Sequence, residues 1–292
     1  MGYGSYTASD WSKLKSSRKL SKEQSVNEVF KRTECNPKFD PRFIGTRECF
    51  DSEDHPNTTP IVVGLDVTAS MGYLAVKVAT EALNELITKL YSTSAIEDPA
   101  LMCAAYGDYK DTSPLQVTQF ESDIRVAEQL LEIYFENHGN GCVVPTCLWE
   151  FLSRHTNIDA VRKRGEKGFL FTIGDGADIR KAYVSETIKR VVGDDVPGAS
   201  VESLLSEVQE KFHVFHIMID GEGNKDILTG HKINISNRDV NVIPDIILGA
   251  IRLQKGERLQ DILAPFDDAK GPMIRNALVQ LSLYDFGRDI TL

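Results

Sequence analysis

Along this chain, short unbroken apolar runs alternate with stretches whose apolar residues recur three and four apart. Ile61, Val62, Val63, Gly64 and Leu65 form the first run, which ends in Asp66. A run without polar alternation is what a central strand covered on both faces requires. The period then changes: Leu74, Val78, Ala79, Ala82, Leu83, Leu86, Ile87 and Leu90 predict one amphipathic helix over residues 73–91. A strand is expected over 101–106 and a half-exposed one over 115–120, close enough to be its antiparallel neighbour. Ser122 is the expected N-cap of a helix over 123–135, with Ile124, Ala127, Leu130, Leu131 and Tyr134 facing inward. Beyond a Gly139-Asn140-Gly141 loop come a helix over 146–155 and a second buried strand, Phe169 to Ile173, ending at Gly174 and Asp175. Helices over 179–192 and 201–212 lead to a third strand over 214–219. From Pro244 onward the spacing is again helical, with Gly271-Pro272 separating the last two helices. Strands separated by helices imply βαβ crossovers. The expected fold is therefore α/β: a Rossmann-like, doubly wound, mostly parallel sheet with helices on both faces and one antiparallel edge strand.

Length and composition narrow the picture. At 292 residues, one domain with terminal elaborations fits better than two large ones. The expected division is an N-terminal basic and extended arm over 1–59, a principal domain over 60–252, and a C-terminal helical extension over 253–292. Pro37, Pro41, Pro56 and Pro60, with the acidic Glu48, Asp51, Glu53 and Asp54, make residues 33–60 extended. No apolar run reaches the roughly 20 residues needed to span a bilayer. The first residues lack the apolar core of a secretory signal, so the expected location is cytoplasmic with no membrane partner. The five cysteines, Cys35, Cys49, Cys103, Cys142 and Cys147, form no CxxC pair and are expected to be reduced. A net charge of −10 disfavours nonspecific phosphate binding by the body of the protein. The arm differs: Lys13, Lys15, Arg18, Lys19, Lys22, Lys31 and Arg32 outnumber Asp10, Glu23 and Glu28 there, so it is either a solvated helix face or a docking arm for an acidic partner or nucleic acid.

Polar residues at the carboxyl ends of parallel strands are the first place to look for chemistry. Asp66, Thr68 and Ser70 put a carboxylate and two hydroxyls at alternate positions between a strand and a helix, where their oxygens can converge on one point. Oxygen ligands suit a hard divalent cation, and Mg²⁺ accepts a few while keeping several waters. Thr172-Ile173-Gly174-Asp175-Gly176 offers a second strand-end carboxylate. As an alternative, Asp66, Thr68 and Ser70 could merely cap the following helix, and Asp175 could be an ordinary turn residue. His213 and His216, three apart in a strand, point to opposite faces and do not suit one ion. Trp149 and Phe151 read as core.

The Asp66-x-Thr68-x-Ser70-Met71-Gly72 stretch resembles the metal-ion-dependent adhesion site of von Willebrand factor A domains, usually Asp-x-Ser-x-Ser. The resemblance extends over about residues 60–252. It implies the von Willebrand A fold and a site completed by a threonine from a second loop and an aspartate from a later strand end. Asp175 fits the latter, although the usual context is Thr-Asp-Gly. Thr146 fits the second-loop position, with Asn140 and Asp108 as rivals. The implied function is non-enzymatic: an adaptor or scaffold whose Mg²⁺, Mn²⁺ or Ca²⁺ binds a Glu or Asp of a protein partner. Intracellular bacterial and viral members of the family often accompany MoxR-type AAA+ ATPases, which makes such an ATPase an expected partner.

Two other functions remain open. The same residues also resemble a haloacid-dehalogenase-type, Mg²⁺-dependent phosphatase with Asp66 as nucleophile and Gly174-Asp175-Gly176-Ala177-Asp178 as its acidic loop. That chemistry also needs a lysine and a general acid two positions after the nucleophile. Thr68 is a poor acid, and Lys163 and Lys167 stand in no recognisable strand-end context. Alternatively, the basic arm could hold nucleic acid while the domain recruits a partner.

Overall fold

The computed structural model describes residues 4–93, 95–136, 143–175, 184–220, 228 and 230–282. Helices α1 (Ala8–Arg18) and α2 (Val26–Val29) and strand β1 (Arg47–Cys49) precede β2 (Thr59–Asp66). Then follow α3 (Gly72–Lys77), α4 (Leu83–Ser92), β3 (Pro99–Tyr106), β4 (Leu115–Val117), α5 (Arg125–Leu130), α6 (Pro145–Arg154), β5 (Thr156–Ile158) and β6 (Gly168–Gly174). The chain continues through α7 (Val184–Val191), α8 (Val201–Gln209), β7 (Phe212–Ile219), β8 (Lys232–Ile235), α9 (Ile243–Gln254), α10 (Leu259–Leu263) and α11 (Gly271–Ser282).

Among the described residues, six strands form the main sheet in the order β4-β3-β2-β6-β7-β8. All pairs are parallel except β3 with β4. Alternation along each strand sends side chains to two separate cores. Ile61, Val63 and Leu65 share one with Leu74, Leu86 and Ile87 of α3 and α4, Ile247 of α9 and Leu278 of α11. Val62, Met102 and Leu170 share the other with Leu148 and Phe151 of α6, Ile188 of α7 and Leu204 of α8. Both central strands are buried along nearly their whole length, which is why the sequence shows apolar runs there rather than alternation. No helix among the described residues is long and apolar enough to cross a membrane.

Several expected elements are altered by local chemistry. The helix expected over 73–91 contains a π-helical turn at Val78–Ala82 between α3 and α4, where the Thr80 hydroxyl donates to the Val76 carbonyl at 2.8 Å. The edge strand stops at Val117 rather than 120, because the Thr118 hydroxyl takes over the next step: it accepts from Cys103 N and donates to Cys103 O, both at 2.9 Å. Ser122 does not cap α5. Its hydroxyl donates to Gly4 O, while Asp123 accepts from Arg125 N in the turn that opens the helix. Residues 179–183 of the next expected helix, with Gly176, Asp178, Asn140 and Cys142, lie outside the described residues. Cys35, Cys49, Cys103 and Cys147 are free thiols.

The residues before β2 are tied to the rest. Trp11 and Leu14 of α1 join the α3–α4 core, Tyr6 donates to Asn84 at 2.8 Å, and β1 pairs in parallel with β5. Some of the arm's positive charge is used internally, with Arg18 and Arg32 both beside Glu132.

Candidate metal centre

The order of the sheet decides where a site can form. From β2 the chain moves to β3 on one side and later crosses to β6 on the other, so the connections leave the carboxyl ends of β2 and β6 in opposite directions. Such a switch point opens a crevice where ligands of α/β sheets collect. Asp66 is the last residue of β2 and Gly174 the last of β6, with Asp175 next.

Asp66 is buried and held on one side only. Its Oδ1 accepts from Thr68 N at 2.9 Å and from the Thr68 hydroxyl at 2.6 Å. Thr68 Oγ1 lies 3.4 Å from Ser70 Oγ, and Ser70 is exposed, so the three oxygens run as a chain from the interior to the surface. Asp66 Oδ2 is buried with no hydrogen-bond partner among the described residues. The helix-capping alternative is not realised by these side chains: Thr68 precedes the 3₁₀ turn Ala69–Met71, but its hydroxyl caps no backbone N–H there. Gly174 leaves room for the carboxylate, because a Cβ at this position would stand 3.0 Å from Asp66 Oδ2 and 3.1 Å from the Tyr106 hydroxyl. That hydroxyl donates to Ile173 O at 2.9 Å, which fixes the floor of the crevice.

The surrounding charge is acidic. Burial, opposed by the two Thr68 hydrogen bonds and reinforced by Asp175 and Asp111, pushes the Asp66 carboxyl up to about 7. Burial, with Asp66 and Asp175, also raises the Tyr106 hydroxyl far above its usual range. At the mouth, Tyr73 on α3 feels burial first and then Asp220 and Asp175. Carboxylates from the ends of β2, β6 and β7 and from the loop after β3 thus gather at one sheet edge.

The expected second-loop residues are placed as follows. Thr146 is buried in the first turn of α6, whose entry is anchored by Val144 N donating to Gly107 O at 3.2 Å. Asp108 is buried, and its Oδ1 accepts from Lys110 N at 2.9 Å within its own loop. Asp111 was not singled out from the sequence, yet its charge reaches Asp66. Its Oδ2 accepts from Asp108 N at 2.9 Å, and Gly107 admits this approach because a Cβ there would meet the same oxygen at 2.4 Å. The Asp-x-x-Asp spacing of residues 108–111 was the available signal. His213 and His216 diverge as expected: His213 packs on Phe169, while His216 Nδ1 lies 2.8 Å from Thr172 Oγ1.

A buried carboxylate oxygen without a donor, two nearby hydroxyls and converging acids fit a small hard cation.

No protein-family model matches the chain, nor does any curated protein sequence. Among solved structures, it is similar to the pilus adhesin SpaC from Lactobacillus rhamnosus GG, with a TM-score of 0.46 and 11% identity over 72% of this chain and 32% of the adhesin. The open conformation of the same adhesin gives a TM-score of 0.45 and 10% identity over 72% and 31%. The chain thus spans about a third of the adhesin's length.

Proposed function

We propose that this protein is a von Willebrand factor A-type module of Rossmann-like, doubly wound fold that binds a protein partner through one divalent cation, Mg²⁺ in the first instance, without catalysing a reaction. Asp66, Thr68 and Ser70 would hold the ion, with Asp175 and either Thr146 or the Asp108–Asp111 loop completing the set. The bound ion would supply a Lewis-acidic centre for a glutamate or aspartate of the partner. The observation that carries this reading is the buried Asp66 Oδ2 at the switch point, without a hydrogen-bond partner among the described residues and with the charges of Asp175 and Asp111 acting on it. A cytoplasmic AAA+ ATPase of the MoxR type is the partner the sequence resemblance suggests.

The test is titration of the full chain with MgCl₂ and MnCl₂ by calorimetry. Uptake of one ion that is lost in Asp66→Asn and Ser70→Ala is expected. Absence of uptake in the unaltered protein overturns the reading. Turnover of a generic phosphate ester that requires Mg²⁺ and Asp66 would establish the phosphatase instead.

A further inference from the structure

A second cluster of metal-ligating side chains lies at the far end of α6, away from Asp66. Glu150 on that helix, His155 at its carboxyl cap and Asp194 in the loop after α7 each offer one ligand atom, and these atoms lie within 4.8 Å of one another. Each is aimed by its surroundings. Glu150 has a fully buried side chain, and neither carboxylate oxygen accepts a hydrogen bond among the described residues. Arg154 Nε stands 3.1 Å from Oε1 without the geometry of a hydrogen bond. Asp194 follows Gly193, whose φ of +100° turns the chain out of α7. The His155 ring stacks on Phe151 with centroids 5.2 Å apart.

The imidazole is the informative group. Its Nδ1 lies 2.9 Å from the Gly45 carbonyl, which can only accept, so Nδ1 carries the proton. In the neutral ring Nε2 then bears the lone pair, and it lies 2.7 Å from Asp194 Oδ2. Two carboxylates, one of them buried beside Arg154 with both oxygens lacking a hydrogen bond among the described residues, thus converge on an imidazole nitrogen. A carbonyl fixing the tautomer of a ligating histidine is the usual outer support of a metal site. The position at a helix carboxyl terminus also favours a cation.

We propose that Glu150, His155 and Asp194 form a second metal site, which takes a transition-metal dication of the Zn²⁺ class and, when loaded, clasps the N-terminal arm to α6 and to the loop after α7. One imidazole nitrogen with two carboxylates leaves a coordination position for water and suits Zn²⁺ better than Mg²⁺. Asp194 and His155 are only partly buried, so the ion can enter from solvent. The clasp reaches the arm because His155 also accepts Arg47 N at its carbonyl, at 2.8 Å, where the pairing of β1 with β5 begins.

The experiment is calorimetric titration of the full chain with ZnCl₂ in excess MgCl₂, followed by Co²⁺ substitution and visible absorption. One Zn²⁺ is expected in the unaltered protein and in Asp66→Asn, and none in Glu150→Gln or Asp194→Asn. Glu150→Gln keeps the size and shape of the side chain and is expected to keep the fold, which circular dichroism verifies. The Co²⁺ spectrum should lose its nitrogen-ligand signature in His155→Gln. No Zn²⁺ uptake by the unaltered protein, or unchanged uptake by both Glu150→Gln and Asp194→Asn, overturns the proposal whatever the outcome at Asp66.

Discussion

Replacing Asp66 by asparagine should stabilise the metal-free protein at neutral and higher pH while removing its response to Mg²⁺. The folded protein holds the Asp66 proton up to about pH 7, whereas the unfolded chain releases it near 3.8. Between these values the folded state binds more protons, so stability falls as pH rises, and the whole cost is present above about 7. At about 1.4 kcal/mol for each pKa unit, the rise from 3.8 to about 7 sets a ceiling of about 4 kcal/mol. Asparagine removes the charge but places either its oxygen or its N–H where Oδ2 now lacks a partner, which takes back about 1–2 kcal/mol. A net gain of about 2–3 kcal/mol near pH 8 is expected, shrinking to nothing or reversing near pH 4. The assay is urea unfolding across pH in EDTA and in MgCl₂. The ion should stabilise the unaltered protein and leave Asp66→Asn unmoved. An asparagine variant no more stable than its parent at pH 8 in EDTA would refute the reasoning.

Other substitutions probe separate links. Gly174→Ala should cost about 1–3 kcal/mol and abolish Mg²⁺ uptake, because its Cβ would crowd both Asp66 Oδ2 and the Tyr106 hydroxyl; unfolding and calorimetry read the two effects. His216 is fully buried and its imidazole is pushed down to about 4 by burial and then by Lys232. The unfolded chain takes up this proton below about 6.5 and the folded protein does not, so stability should fall by up to about 3 kcal/mol as pH drops from 6.5 to 4. His216→Leu should flatten that limb in acid-unfolding curves. Trp11→Ala should destabilise the whole protein by about 3 kcal/mol in chemical denaturation, since Trp11 belongs to the same core as α3 and α4. An unchanged midpoint would show that the arm folds separately.

The elements that announced themselves in the sequence are the strands buried on both sides and the long helix with one buried face. β2 and β6 could be read from apolar runs, because burial there leaves no polar positions to blur the pattern, and the helix after β2 from the three-and-four spacing of its buried face. Asp66, Thr68 and Ser70 were legible for the same reason: polar residues that interrupt a buried run stand out. Short pieces were not. β1 and β5, three residues each, pair through Arg47-Glu48-Cys49 and Thr156-Asn157-Ile158, segments with no period to detect. β8 is four residues at the sheet edge. Asp111 escaped because its nearness to Asp66 depends on how the loop after β3 folds back, which the spacing of Asp108 and Asp111 only hints at. The Glu150, His155 and Asp194 cluster joins residues 39 positions apart in sequence, and only the packing of α6 against the loop after α7 brings them together.

The pairing of β1 with β5 matters for any shortened form of this protein. A chain begun at residue 60 would leave Thr156, Asn157 and Ile158 with an open row of backbone donors and acceptors, and an unpaired edge invites another extended segment. Such a chain should associate more strongly in sedimentation experiments than the 292-residue chain, and a peptide carrying residues 45–51 should suppress that association by taking the vacant place.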